Sequence, residues 1–399
     1  MKATILLFIL LGVTTAASAQ SGRIALVNAN LIDGESDSPR SGTTILIREG
    51  RIERVGDQGG NVPSDYTVID LAGRWVMPGL IDAHTHIGDL EGARAALRSG
   101  VTTARNMGIS HFVDIGMREL NRRGKIDLPE LLSAGYHIYP TPREGFFLDF
   151  PQLADMMPYI RGEENIRRAT RIQLERGVDV IKVNATDRAG TVTTDPRRQL
   201  YTEEEMRIIV EEARRFGRGV AAHAHGEEGG HAAVRAGVRS IEHGTYLNRS
   251  TLEMMKTRGT WLVPTLATMA EMIEPRNDVS LQIRGKHMVP RLHETTRMAI
   301  GLGVRIAAGT DTDYGSASNF RLGNEILELI RLGMPAMDAI RAASSWSAEC
   351  LGISERTGKV KPGFEADLIV IELNPLKSPE STLDPLMVIN NGQIALRRF

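Results

Sequence analysis

The stretch Gly79-Leu80-Ile81-Asp82-Ala83-His84-Thr85-His86 ends an apolar run, broken by Pro78 and Gly79, that begins at Trp75. A short apolar run of this kind predicts a buried strand. Because side chains alternate along a strand, His84 and His86 project from the same face. Two imidazoles directed to one point can begin a metal site, provided that other strand ends supply further ligands.

Downstream of Gly79, predicted strands and helices alternate along the chain. The strands that follow the first one are predicted at residues 101–105, 130–134, 180–183, 220–223, 240–243, 260–263 and 304–308. Strands separated by helices favour a parallel sheet, and eight such strands can close a barrel. The sequence therefore predicts an α/β fold, with a (β/α)8 TIM barrel over residues 77–358.

Both ends of the chain have a different pattern, in which short strands are separated by turns. The N-terminal part, residues 20–76, contains several strand-like runs and no histidine. The C-terminal part, residues 359–399, contains a hairpin signal at Asn391-Gly392. We predict that these two parts together form a small β-sandwich domain beside the barrel.

The first residues have the pattern of an export signal. Lys2 provides a positive start, residues 5–13 are apolar, and Ala17-Ser18-Ala19 has the small residues of a cleavage site. The apolar run is too short to anchor the chain in a bilayer. We therefore predict a signal peptide at residues 1–19, a periplasmic or secreted location, and no membrane anchor after cleavage.

Charge and cysteine content exclude several classes of partner and site. The 48 Lys and Arg residues nearly balance the 49 Asp and Glu residues, so no electrostatic argument favours nucleic acid or an anionic membrane. The single cysteine, Cys350, excludes an intramolecular disulfide and a cysteine metal cluster. The expected partner is a small-molecule amide or peptide substrate. The sequence is compatible with a homo-oligomer.

Residues with metal-binding or catalytic chemistry recur at the predicted strand ends. Beyond His84 and His86, they are Lys182, His223, His225, His243 and Asp311. In barrel enzymes the carboxyl ends of the strands carry the active site, so these side chains are expected to face one rim.

Lys182 lies inside an apolar strand, where a charged amine is costly unless it is paired or modified. It could pair with Asp311 or Glu242. Alternatively, its amine could carry a carbamate that bridges two metal ions. The spacing alone leaves both interpretations open.

The motifs at these strand ends resemble those of the amidohydrolase superfamily, specifically its metal-dependent, prolidase-like and imidazolonepropionase-related branch, which includes ochratoxin-hydrolysing amidases. The chain carries them as Pro78-Gly79-Leu80-Ile81-Asp82-Ala83-His84-Thr85-His86, Val180-Ile181-Lys182-Val183, His223-Ala224-His225-Gly226, Ser240-Ile241-Glu242-His243-Gly244, Gly309-Thr310-Asp311 and residues 363–370. The motifs occur in the family's order and span nearly all of the chain after the predicted signal peptide.

The resemblance implies two divalent metal ions, with zinc suited to the ligands. One ion would be held by His84, His86, Asp311 and a carbamate on Lys182. The same carbamate would hold the second ion together with His223 and His243. Asp311 would also transfer the catalytic proton, and His225 would contact the substrate carbonyl or carboxylate.

The resemblance extends to the substrate only in outline. Enzymes of this branch often cleave the bond to a C-terminal amino acid, whose carboxylate is held by a cation or a hydroxyl group. Candidates for that role are Tyr136, His137, Arg143 and Arg188. Residues 139–147 and 184–190 differ from the branch, so a proline dipeptide is not implied.

The sequence thus predicts an exported, binuclear metal-dependent amidohydrolase that cleaves an amide or peptide-like C–N bond. A dipeptide or N-acyl amino acid is the expected substrate, as for a carboxypeptidase or prolidase. A lactonase or cyclic-amide hydrolase on the same metal site is the alternative reaction. A binding protein built on an inactive barrel is the alternative from another class.

Overall fold

The computed structural model describes residues 22–57, 61–142, 144–316 and 318–399. The predicted signal peptide, residues 1–19, lies outside the described residues. Five strands precede the first histidine pair: β1 (Arg23–Leu31), β2 (Arg40–Arg48), β3 (Arg51–Gly56), β4 (Thr67–Asp70) and β5 (Trp75–Pro78).

Strands and helices then alternate, as the sequence predicts. The strands are β6 (Leu80–Thr85), β7 (Val101–Asn106), β8 (Glu130–Ser133), β9 (His137–Ile138), β10 (Val180–Asn184), β11 (Gly219–Ala224), β12 (Ser240–His243) and β13 (Trp261–Val263). The helices among and after them are α1 (Leu90–Arg98), α2 (Val113–Arg122), α3 (Glu144–Asp149), α4 (Glu163–Glu175), α5 (Glu203–Arg215), α6 (Glu227–Ala236), α7 (Arg249–Arg258), α8 (Leu266–Glu271), α9 (Val279–Leu302), α10 (Leu322–Arg331), α11 (Ala336–Ala342) and α12 (Ser345–Leu351).

These strands form two parallel sheets, one in the order β6-β7-β8 and one in the order β13-β12-β11-β10-β9. All residues of β6, β7 and β10 are buried, as expected for parallel strands covered by helices on the outside. Because the strands run in one direction, their carboxyl ends meet on one side of the molecule. The arrangement is a TIM-barrel-like α/β fold.

Residues 304–312 lie between the two parallel sheets. The backbone N–H of Leu262 in β13 donates to the carbonyl of Arg305 (2.9 Å). The N–H of Ala83 in β6 donates to the carbonyl of Ala308 (2.9 Å). This segment brings Asp311 beside the end of β6.

The strand predicted at residues 304–308 is present only as an isolated bridge between Ile306 and Leu262. A second isolated bridge joins Thr312 to Thr85. Asp311 lies between these two bridges and has a left-handed backbone (φ 58°), so the bridges do not join into one continuous strand.

Both ends of the chain contribute to one mixed sheet. The C-terminal strands are β14 (Leu368–Ile371), β15 (Met387–Asn390) and β16 (Gln393–Arg397). The sheet has the order β16-β15-β14-β5-β1-β2-β3, with β4 paired to β1. The described strands at the two ends thus share a single hydrogen-bonded sheet, so the predicted β-sandwich is not confirmed.

The largest error in the predicted helices concerns α9. The sequence predicts a helix from Pro290 to Leu302, because proline is frequent in the first turn of a helix. In the structure the helix begins at Val279 and contains Pro290 in its interior. Buried neighbours, including Met288 and Leu292, hold the helix together where proline removes one backbone hydrogen bond. None of the described helices is long and apolar enough to cross a membrane.

Candidate metal centre and adjoining cavities

One group of candidate ligands lies where β6 meets the segment 304–312. The Nε2 atoms of His84 and His86 are 3.3 Å and 3.0 Å from the same oxygen, Oδ1 of Asp311. Burial alone would raise the pKa of Asp311, but the two imidazoles hold it well below the usual value. Asp311 is therefore a carboxylate at neutral pH, and the three atoms fit one cation.

A second group lies at the ends of β11 and β12. His223, His225 and His243 offer nitrogen atoms close enough to share one cation. Nδ1 of His223 and Nε2 of His243 are 2.9 Å apart. The ring of His225 stacks on His243 with a centroid separation of 4.6 Å. Burial lowers the pKa of all three imidazoles, that of His225 to about 3, so they are neutral and able to donate lone pairs.

Each of the five imidazoles uses one ring nitrogen for a contact outside the centre. The contacts are His84 Nδ1 with Glu242 Oε2 (2.7 Å), His86 Nδ1 with the Gly108 carbonyl (3.2 Å), His223 Nε2 with the Asp187 carbonyl (3.1 Å), His225 Nδ1 with Thr245 Oγ1 (2.8 Å) and His243 Nδ1 with Thr265 Oγ1 (2.7 Å). Contacts with a carboxylate or a carbonyl place the proton of His84, His86 and His223 on the outward nitrogen. Such outer contacts are typical of metal-binding histidines, whose other nitrogen then keeps its lone pair.

Glu242 anchors the outer side of His84. Its other oxygen, Oε1, accepts hydrogen bonds from Arg105 (3.0 Å) and Ser240 (2.5 Å). Burial would raise the pKa of Glu242, but Arg105 and His84 lower it to about 2. The carboxylate is therefore ionised and fixes both the orientation and the tautomer of His84.

Lys182 lies in β10, between β9 and β11 in the sheet. Its side chain is 1 % exposed, and Nζ has no hydrogen-bond partner among the described residues. The pairing of Lys182 with Asp311 or Glu242 is thus not seen as a hydrogen bond. Burial lowers the pKa of Lys182 to about 8, against the opposing effect of those two carboxylates.

The two groups of ligands adjoin each other, since the rings of His84 and His243 have centroids 5.2 Å apart. The short distance between Nδ1 of His223 and Nε2 of His243 also indicates that the site is suited to a cation. If both nitrogens carry lone pairs, their separation of 2.9 Å is repulsive unless a cation or a proton lies between them. The donor set is imidazole and carboxylate, which suits zinc and similar divalent ions. The residues therefore fit metal ions.

A cavity of about 500 Å³ opens beside His86. It is lined by three of the four candidate substrate residues, Tyr136, His137 and Arg188. The side chain of Arg188 makes no hydrogen bond or ion pair with any described residue, whereas His137 contacts Asn184 Oδ1 (2.8 Å). We call this space the arginine cavity. The fourth candidate, Arg143, lies outside the described residues.

A second cavity of about 590 Å³ also reaches His86 and Asp311. Helices α8 and α9 and their connection provide much of its lining, including Glu271, Met272 and Asn277. We call it the helical cavity. Both cavities thus reach the first group of candidate ligands, through His86 and, in the helical cavity, also Asp311. Together they offer space for a substrate with groups on both sides of the scissile bond.

Sequence reasoning missed the residues that support the ligands. Arg105 ends a buried strand and could have been noticed, because an arginine inside an apolar strand needs a partner. Gly108, Thr245 and Thr265 act through backbone or hydroxyl groups in loops, which carry no recognisable pattern in a single sequence.

Residues 75–395 match the amidohydrolase family. The chain belongs to this family. Ochratoxinase from Aspergillus niger is 28% identical over 93% of this chain and 86% of its own length. Imidazolonepropionase from Kosmotoga olearia is 23% identical, over 90% of this chain and 91% of its own.

Among solved structures, a Xaa-Pro dipeptidase with methionine bound in its active site superposes with a TM-score of 0.84. It is 29% identical, over 93% of this chain and 99% of that one. Family membership and these relatives identify the protein as a hydrolase of amide or peptide C–N bonds. The family is generally metal-dependent, which agrees with the two ligand groups of the structure.

Proposed function

We propose that this amidohydrolase is an exported, binuclear metal enzyme that releases an amino acid from an N-acyl amino acid or a dipeptide. The observation that carries the proposal is the pair of adjoining ligand groups near a buried lysine. Next to them is a cavity lined by Arg188, whose side chain has no partner among the described residues. Export rests on the signal pattern of residues 1–19 alone.

Six side chains would hold two zinc ions. His84, His86 and Asp311 would bind one ion, and His223 and His243 the other. A carbamate on Lys182 would be shared by both ions. Burial lowers the pKa of the amine to about 8, so a neutral fraction is available at neutral pH for carbon dioxide to add to. Ions bound there would supply a hydroxide at neutral pH and polarise the scissile carbonyl.

The chain's own residues would perform the proton transfers. Asp311, ionised at neutral pH, would take the proton of the attacking water and deliver it to the leaving nitrogen, as a general base and then a general acid. His225 is neutral, and its Nδ1 contacts the Thr245 hydroxyl. If that hydroxyl donates to Nδ1, the Nε2 proton is free to stabilise the developing oxyanion.

The arginine cavity would receive the amino-acid part of the substrate. Arg188 lines this cavity and has no side-chain hydrogen bond or ion pair among the described residues, and a guanidinium suits a carboxylate. His137 and Tyr136 line the same space and would restrict its shape. The name of the Xaa-Pro dipeptidase relative specifies a dipeptide substrate, which supports this class of substrate without fixing its side chain.

We also infer that β8 and β9, which follow each other closely and pair with β7 and β10, form one barrel strand. Residues 304–312 would then be the eighth strand of a (β/α)8 barrel, between β13 and β6. Their backbone hydrogen bonds to both strands support the closure. This placement would keep Asp311 at the same rim as the histidines.

The test combines metal analysis with a substrate panel. The purified protein should contain about two divalent ions per chain and cleave members of a panel of N-acyl amino acids and dipeptides. The matching carboxamides and a set of lactones serve as comparison substrates. A protein that holds metal but cleaves only lactones would overturn the proposed substrate class, and one that binds no metal after reconstitution would overturn the metal centre.

A further inference from the structure

The loop between β10 and α5, residues 185–202, contributes to the lining of both cavities. We call it the β10 loop. Arg188, Thr191 and Thr194 of this loop line the arginine cavity, and Gly190 lines the helical cavity. The position of residues 188–194 therefore determines where one cavity ends and the other begins.

Arg284 of α9 binds the middle of this loop through backbone groups alone. Its Nη1 donates to the carbonyls of Ala189 (2.5 Å) and Thr191 (2.7 Å), and its Nη2 to those of Val192 (3.3 Å) and Thr194 (2.7 Å). A guanidinium has several donors in one rigid plane, as such a set of acceptors requires. The ammonium of a lysine carries its donors on one atom and cannot reach all four carbonyls.

The ends of the loop have separate anchors. Near its start, the Asp187 carboxylate accepts hydrogen bonds from Tyr139 and Arg198, and the Asp187 carbonyl faces His223. Near its end, the N–H of Leu200 donates to the carbonyl of Ala185 (2.8 Å). Among the described residues, Arg284 is thus the side chain outside the loop that hydrogen-bonds to residues 189–194, next to Arg188.

We infer that Arg284 is a positioning residue, which fixes residues 189–194 and through them holds Arg188 at the arginine cavity. The part of this inference that concerns substrate rests on the proposed function, in which Arg188 receives the carboxylate. The part that concerns the loop does not. Loss of the guanidinium would remove the donor to the carbonyls of Ala189, Val192 and Thr194, while the Thr191 carbonyl would keep its bonds from Thr194. It would release the backbone that carries Arg188 without touching any candidate ligand.

Limited proteolysis tests the loop directly. Trypsin cleaves after arginine, and the β10 loop offers Arg188, Arg197 and Arg198. We expect Arg284→Met to raise the initial rate of cleavage after Arg188 by about tenfold, the effect of losing one charge-assisted hydrogen bond or more. Arg284→Lys should give a smaller increase. The control is Arg291→Met, on the same helix but paired with Glu294 at the surface.

Mass spectrometry of the fragments separates this cleavage from that after Arg197 and Arg198, which lie close to the Asp187 anchor. A rate after Arg188 that is the same in Arg284→Met and in the wild type would overturn the inference. Should Arg284→Met fail to fold, the Arg284→Lys variant decides, because an unchanged rate there together with unchanged kinetics would also overturn it.

Kinetics then tests the positioning of Arg188. With N-acetyl-L-phenylalanine as substrate, Arg284→Met should raise KM by about tenfold, since a charge-assisted contact is misplaced, and change kcat little. With the corresponding carboxamide, KM should stay within about twofold. An equal loss of kcat/KM on the amino-acid substrate and on the carboxamide would show that Arg284 has only a structural role, and would overturn the inference. If the wild type cleaves neither, nor any panel member, the proposed function fails, while the proteolysis still decides the role of Arg284.

Discussion

Replacing Lys182 by methionine should stabilise the metal-free protein while removing its function. The amine of Lys182 is buried, with no hydrogen-bond partner among the described residues. Methionine has a similar length and no charge, so it can fill the same space without a desolvation cost. In the metal-free state the change therefore removes an unfavourable group and creates no cavity.

The magnitude follows from the pKa of Lys182, which burial lowers from 10.5 to about 8. A difference of about 2.5 units corresponds to roughly 3 kcal/mol between the two protonation states. Because the folded-state pKa is the lower one, the penalty is fully present below pH 8 and disappears as the pH rises through 10.5. At pH 7 the metal-free variant should thus be more stable by roughly 3 kcal/mol.

Urea unfolding of chelator-treated wild type and Lys182→Met at pH 7 measures this difference. Lys256→Met, a change at an exposed lysine of α7, is the matched control and should shift the unfolding free energy by less than about 0.5 kcal/mol. After zinc is restored, elemental analysis should find fewer ions per chain in Lys182→Met than in the wild type, and hydrolysis should be lost. A metal-free variant that is less stable than wild type would show that the amine has a favourable partner. Full metal content in the variant would refute the bridging role.

Three further changes give distinct results. Asp311→Asn should leave the unfolding transition in place and lower kcat by about 10²–10⁴, the usual contribution of a general acid–base group, and a kcat within tenfold of wild type would exclude Asp311 from proton transfer. Glu242→Gln leaves donors unpaired in the network with Arg105 and Ser240, so it should reduce zinc affinity by about 10–100-fold in a competition titration; an unchanged affinity would show that His84 needs no such anchor. Asp367→Asn tests a carboxyl far from the centre, whose pKa burial raises to about 7. Since the folded-state pKa is the higher one, the ionised group costs stability that is absent near pH 4 and complete above pH 7, so the variant should be more stable at pH 8 by up to about 4 kcal/mol and equal near pH 4. If the unfolding free energies of wild type and Asp367→Asn change with pH in the same way, this reasoning is contradicted.

The clustering of the candidate ligands could be predicted from the sequence because they lie at the ends of strands. Period-two alternation places His84 and His86 on one face, and the parallel arrangement brings His223, His243 and Asp311 to the same edge. The structure does bring these residues into two adjoining groups. Lys182 was conspicuous for a different reason, since an amine inside an apolar strand is rare.

Features that depend on tertiary packing could not be predicted. Pro290 signals the start of a helix in a single sequence, yet packing allows α9 to begin eleven residues earlier, at Val279. The contact of Arg284 with four carbonyls has no sequence signal either, because its partners are backbone groups of residues about ninety positions away. Only the folded chain shows that Arg284 contacts this loop.

The pairing of β5 with β14 has a consequence for how the polypeptide is made. β5 is synthesised early, but β14 lies beyond the whole region of parallel strands. At ordinary translation rates, one edge of β5 stays unpaired for on the order of tens of seconds until β14 has been synthesised. An open edge strand invites intermolecular pairing, so nascent or C-terminally shortened chains should aggregate or recruit chaperones at this edge. For a chain that we propose is exported, the same delay keeps the mixed sheet incomplete until the last residues emerge, and an incompletely folded chain is the form that a narrow translocation pore can admit.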